Sequence, residues 1–196
     1  MNVARFMRTD PITVLPSASL ADAKRLMDEH GFGLLLVADE AGVLDGFLTR
    51  GALKSVADLS LPVSRIRTPV RFAVSPTDTV ERAALVLLAH QLVVLPVVDE
   101  GHLVGVITQT EVLRAIATGL GIGVEGTRLT IQVRPGSDDV YRALRILGAH
   151  EAKLLSVVSG RSSGERHLMI LRVQGVADRE RLCRELEAAL TVDEDA

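Results

Sequence analysis

Residues 16–40 read PSASLADAKRLMDEHGFGLLLVADE, and residues 76–100 read PTDTVERAALVLLAHQLVVLPVVDE. The second stretch is the first written again sixty positions later. Pro16 answers to Pro76, Leu20 to Val80, Ala23 to Ala83, His30 to His90 and Asp39-Glu40 to Asp99-Glu100. After a one-residue deletion the match continues through Gly42 and Gly101, Leu44 and Leu103, Gly46 and Gly105, and Thr49 and Thr108. A period of this length is one supersecondary unit, and two copies predict a pseudo-symmetric pair with a shared interface. That interface is the place to look for a ligand.

Inside each copy the hydrophobic period changes in a fixed order. A short apolar segment, 12–15 in copy one and 70–74 in copy two, reads as a strand. Ser19 and Thr79 can then accept backbone N–H bonds as helix N-caps. Leu20, Ala23, Leu26 and Met27 form the stripe of an amphipathic helix, as do Val80, Ala83, Ala84, Leu87 and Leu88. The helices stop near His30-Gly31 and His90-Gln91. Nearly continuous apolar runs at 34–38 and 93–98 predict strands buried on both faces. After a turn come further strands at 43–48 and 102–107, then helices at 52–57 and 111–117. The unit is β-α-β-β-α, with its first helix as the crossover that parallel pairing needs.

Copy one spans 1–60 and copy two 61–120, and the glycine-rich stretch 119–125 reads as a linker. A third unit, 126–192, repeats the order β-α-β-β-α with different lengths. It has a strand at 127–133, a turn at Pro135-Gly136 and a helix from about Ser137 with Val140, Leu144 and Leu147 on one face. Strands at 154–158 and 167–173 flank a polar turn at 161–165. Asp178 caps a last helix with Leu182, Leu186 and Leu190 inward. The acidic tail 193–196 reads as frayed. The fold class is α+β.

Composition narrows the function. Hydrophobic residues make up 47% of the 196, enough for a sizeable core and too many for a disordered chain. Aromatics are 3% and Trp is absent, which argues against base-stacking platforms. The net charge is -3 and no basic stretch stands out, so no nucleic-acid footprint is visible. One cysteine, Cys183, excludes an internal disulfide and a multi-cysteine zinc site. No signal core or membrane-length apolar run is present, and a reducing, cytoplasmic setting is expected.

Each copy closes with Gly-apolar-apolar-Thr and then enters a helix: Gly46-Phe47-Leu48-Thr49-Arg50-Gly51-Ala52, and Gly105-Val106-Ile107-Thr108-Gln109-Thr110-Glu111. A threonine at a strand-to-helix junction offers a hydroxyl beside free N–H groups, which suits a phosphate. A carboxylate three residues on can accept bonds from the cis-diol of a ribose. Thr108-x-x-Glu111 is equally a capping box, in which Thr108 bonds the third helical amide and Glu111 reaches back. The two readings compete for the same oxygens.

The duplication, with Leu95-Pro96-Val97-Val98-Asp99, Gly105 and Thr108-x-x-Glu111, resembles a tandem pair of CBS domains over about residues 1–120. The third unit, with Arg134-Pro135-Gly136 after its first strand, resembles an ACT domain, a ferredoxin-like regulatory fold. The chain ends where the last ACT strand is expected. The order is similar to that of the acetoin-utilisation protein B family. The resemblance implies two clefts for adenine nucleotides (AMP, ADP or ATP) and no catalysis or cofactor. It implies one cleft from Thr108, Gln109 and Glu111 with Ile12, Thr13, Phe32 and Gly33. It implies a second from Thr49 and Arg50 with Val70, Arg71 and Val94. Glu111 is one methylene longer than the usual Asp, Ala52 takes its place in copy one, and Leu36 stands where copy two has Pro96. The clefts are therefore expected to differ, with phosphate affinity in the second resting on Arg50 and Arg71.

His30 and His90 sit at helix ends, where a cation suits the helix dipole. His102, His150 and His167 have no metal-ligand spacing, and no nucleophile-base constellation is present. Gly121-x-Gly123-x-x-Gly126 follows a helix and not a strand, so it reads as linker. Residues 135–138 offer amides to an amino-acid carboxylate, as ACT domains do, or simply form a turn and N-cap. The expectation is a regulatory homodimer that senses an adenine nucleotide, with acetoin metabolism as the family's association and a metabolic enzyme as partner. The alternatives are a scaffold with degenerate clefts, or amino-acid sensing through the third unit.

Overall fold

The computed structural model describes residues 1–163 and 166–191. The chain divides into two compact units, Met1–Ala115 and Ile116–Ala196. In the first, copy one consists of β1 (Thr13–Val14), α1 (Leu20–His30), β2 (Leu34–Ala38), β3 (Leu44–Thr49) and α2 (Arg50–Lys54). Copy two has α3 (Val80–Ala89), β4 (Val94–Asp99), β5 (His102–Thr108) and α4 (Gln109–Gly119), whose last turn falls past the division. The helices start where the capping residues stand: Ser19 Oγ accepts from Asp22 N–H at 3.1 Å and Thr79 Oγ1 from Arg82 N–H at 3.2 Å.

The copies differ at their first strand. β1 pairs parallel with β2, through Thr13 with Leu36 and Val14 with Val37, and β2 pairs antiparallel with β3. Residues 70–74, expected as a strand, contribute only a bridge between Val74 and Val97. Val74 N–H donates to Pro96 O at 3.1 Å and Val98 N–H to Val74 O at 2.8 Å. The next rung, equivalent to Thr13 with Leu36, needs an N–H at position 96, which proline lacks. The single Leu36/Pro96 difference thus shortens the ladder.

The segments that lead into the two copies are exchanged. Residues before copy one pack on copy two: Val3 N–H donates to Asp78 O at 2.8 Å, Ala4 N–H to Pro76 O at 2.9 Å, and Val80 N–H to Met1 O at 2.8 Å. Residues before copy two pack on copy one in the same way. Val63 N–H donates to Ala18 O, Ser64 N–H to Pro16 O and Leu20 N–H to Leu61 O, each at 2.9 Å. Val3 accordingly lies in the core of copy two, with Leu87, Leu95 and Ile107, and Val63 in that of copy one, with Leu20, Leu35 and Leu48. Farther along, Arg8 bridges Val106 and Thr68 bridges Phe47. Gly105 and Gly46 permit this, since a Cβ there would lie 2.6 Å from Arg8 O and 2.7 Å from Thr68 O. Val43 and His102, equivalent in the repeat, bridge each other, as a two-fold relation requires.

The second unit contains β6 (Thr127–Val133), α5 (Asp139–Ala149), β7 (Lys153–Ser163), β8 (Arg166–Gln174) and α6 (Arg179–Thr191). The sheet is antiparallel in the order β6-β8-β7, so β8 splits the β-α-β unit. Leu129, Ile131 and Val133 alternate inward and meet Ala143, Leu147, Leu182, Leu186 and Leu190 from the helices. Residues 161–163, expected in a turn, extend β7, while the rest of that turn, 164–165, and the tail 192–196 lie outside the described residues. α5 begins at Asp139 and not at Ser137, because Ser137 Oγ accepts from Asp139 N–H at 3.2 Å and so sits before the helix.

Gly105→Ala should destabilise the first unit by about 1–3 kcal/mol, since the backbone of Arg8 must move away. Gly33→Ala, where a Cβ meets nothing within 4 Å, should stay within about 0.5 kcal/mol of the parent. Urea unfolding followed by circular dichroism measures both.

Candidate functional site

The exchange of segments brings the ends of the strands of one copy against the lead-in of the other and leaves two clefts. One, of about 490 Å³, is lined by Ile12, Phe32, Gly33 and Thr108, together with Arg8 and Asp10. The other, of about 430 Å³, is lined by Val70, Arg71, Phe72, Val94 and Pro96 among others. Both volumes suit a small organic ligand. The linings are related by the sixty-residue period: Asp10, Pro11 and Ile12 correspond to Val70, Arg71 and Phe72. The clefts are therefore built alike and charged differently. The first has Arg8 and Asp10, while Arg71 is the charged residue of the second.

Several residues named from the sequence are placed otherwise. Thr49 lines the first cleft, next to its pairing partner Leu34, and not the second. Thr13 is taken up in β1 and does not line the cleft. Arg50 is committed to the end of α1: it donates to Met27 O at 2.9 Å, to Phe32 O at 2.9 Å and to the Asp28 carboxylate. The guanidinium beside Asp28 holds that carboxyl below its ordinary value. Gln109 does the same in copy two, donating from Nε2 to Leu92 O at 3.1 Å. Arg50 and Gln109 thus fix the loops that form cleft walls and do not face the clefts themselves.

Glu111 is 5% exposed and turned inward. Its carboxylate accepts from Thr108 N–H at 3.1 Å and from the Thr108 hydroxyl. Thr108 Oγ1 in turn accepts from Thr110 N–H at 3.1 Å, one residue short of the amide expected in a capping box. In copy one Thr49 Oγ1 accepts from Ala52 N–H at 3.2 Å, and Ala52 has no carboxylate to compete for the hydroxyl. His30 stacks on Phe32 and His90 on Phe72, so each histidine backs an aromatic residue that lines a cleft.

Arg8 and Asp10 were not legible as site residues, yet a signal existed. Carried back by sixty positions, the period aligns Ile12-Thr13 with Phe72-Ala73 and Val70-Arg71 with Asp10-Pro11. In the second unit the loop 134–138 is closed by the chain's own carboxylate. Asp139, 1% exposed, accepts from Arg134 N–H at 2.9 Å and from its guanidinium at 3.0 and 3.2 Å.

The CBS domain profile matches residues 3–58 and 63–118. The chain belongs to the CBS domain family. Inosine-5'-monophosphate dehydrogenase of Escherichia coli K12 is 36% identical over 110 residues, 55% of this chain and 22% of that enzyme. The chain thus spans about a fifth of that relative's length. CBSX2 of Arabidopsis thaliana, solved in complex with AMP, superposes with a TM-score of 0.53 and 31% identity over 59% of this chain and 95% of that one. A Vibrio cholerae protein assigned to acetoin utilization superposes with a TM-score of 0.55 and 25% identity, over 59% of this chain and 90% of that one. Among the described residues no group of His, Cys, Asp or Glu could hold a metal ion, and no helix is long and apolar enough to cross a membrane.

The Arg134 guanidinium beside Asp139 holds its carboxyl well below the usual carboxylate range. A depressed folded-state pKa stabilises above the unfolded value of about 3.9 and is lost as pH falls through the folded one. Asp139→Asn should therefore cost the second unit about 2–3 kcal/mol at neutral pH. The difference from the parent should shrink only in strong acid, as urea unfolding across pH will show.

Proposed function

We propose that this chain is a non-catalytic regulatory protein whose CBS pair binds an adenine nucleotide in the cleft of Ile12, Phe32, Gly33 and Thr108. The observation that carries the proposal is the composition of that cleft. Apolar walls from Ile12, Phe32, Leu34 and Val94 suit a purine, while Arg8 offers a phosphate a cation. The AMP complex of the similar CBSX2 supports the ligand class. The second cleft, with Val70, Arg71 and Val94, is the weaker site because Arg50 is spent on α1. Cytoplasmic location, a homodimer and a regulated metabolic enzyme complete the proposal. Exposed Leu85 and Leu88 on α3 and Leu113 on α4 favour a covered surface. The Vibrio cholerae neighbour makes acetoin metabolism a candidate setting, and the topology of the second unit favours an ACT-like domain. Closure of its 134–138 loop by Asp139 weighs against an amino-acid carboxylate there.

The second reading, a scaffold with degenerate clefts, is favoured by the bond between Glu111 and Thr108 and by Ala52. Calorimetric titration of AMP, ADP and ATP separates the two. The parent should bind at least one of them, with affinity reduced about ten-fold in Arg8→Ala, the loss of one charge-assisted hydrogen bond, and unchanged in Arg71→Ala. Silence with all three at millimolar concentration would leave the scaffold. Loss in Arg71→Ala alone would move the site to the other cleft.

A further inference from the structure

Among the described residues the sheet of the second unit has two edges, β6 and β7, and they are built differently. The pairing of β7 with β8 slips twice, between Leu154 and Ser156 and between Ser159 and Ser162. Such irregularities bend an edge away from further pairing, a common protection of exposed strands. β6 has no such device. Its residues Thr127–Val133 pair with β8 in unbroken register, and they include neither proline nor lysine.

A groove of about 330 Å³ runs along this edge, and the five consecutive residues 128–132 line it. Consecutive lining means that the strand's edge forms the wall, because alternate side chains point to opposite faces. α6 supplies the other wall through Cys183, Leu186 and Leu190. Arg128, Arg166 and Arg179 stand around the groove with Glu187 as its carboxylate, so the charge there is positive.

We propose that this groove receives an extended acidic segment of a partner protein, added to β6 as a further strand. Backbone bonds to the β6 edge supply affinity, and side chains at alternate positions of the incoming segment meet Leu186 and Leu190. The arginine excess selects acidic over basic sequences. All of the groove's residues belong to the second unit, and the lining residues of the two clefts belong to the first.

Fluorescence anisotropy on the full chain tests it with three labelled hexapeptides. One alternates Val with Asp or Glu, one alternates Val with Lys, and the third is the acidic peptide with alternate amides N-methylated. The acidic peptide should bind, more weakly as salt rises, and the lysine peptide should bind at least about ten-fold more weakly. N-methylation, which removes the strand-forming donors without touching the protein, should abolish binding. Arg128→Glu combined with Arg179→Glu should invert the preference. Equal binding of acidic and lysine peptides, binding that survives N-methylation, or none at millimolar concentration overturns the proposal. So does a dimer, seen by sedimentation, that Arg128→Glu disperses while no peptide binds, because the edge then belongs to a second copy.

Discussion

The reciprocal exchange of the two lead-in segments is the constraint on which the first unit depends. Neither copy completes its own core: Val3 fills copy two and Val63 fills copy one, each with no exposure. The same exchange carries Arg8 to β5 and Thr68 to β3, where Gly105 and Gly46 leave room for a second backbone. The clefts are a by-product of this geometry. Each one lies where a lead-in, having crossed to the other copy, turns back toward its own first strand.

Symmetry of scaffold does not impose symmetry of chemistry. Asp45 and Arg67 form a half-buried ion pair in copy one, with one hydrogen bond at 2.8 Å. Copy two has apolar Val104 and Met7 at the equivalent places, packed against its core. Leu36 supports a two-residue ladder where Pro96 supports a bridge. Arg50 and Gln109 both anchor the carbonyl that follows the first helix, by a guanidinium in one copy and an amide in the other. Differences of this kind cost the fold little because they exchange one satisfied contact for another. They leave Arg8 and Asp10 in one cleft and Arg71 in the other.

The site was only partly legible because a spacing motif names side chains without saying where they point. Thr108-x-x-Glu111 is compatible with a ligand clamp and with a helix start, and the structure shows Glu111 turned to Thr108. Arg50 reads as a phosphate ligand by its charge, yet the exposed carbonyls at the end of α1 lie within its reach. Arg8 and Asp10 precede the most visible part of the repeat, so the pattern gave them no weight. In the second unit, Ser137 reads as the helix start, but its hydroxyl accepts from Asp139 N–H and so sits before the helix.

By itself the amino-acid order determined the two-copy plan, the first helix of each copy with its cap at Ser19 or Thr79, the buried strands, the α+β class and the resemblance to CBS domains. These follow from local periodicity and from a repeat that can be counted. Only the tertiary structure decided which lead-in serves which copy, which residues face a cleft, and which strands form the sheet edges among the described residues. Those outcomes depend on contacts between residues distant in the chain, such as Val3 with Asp78 and Val63 with Ala18. There, competition for one donor or one patch of backbone is settled by packing, which periodicity cannot express.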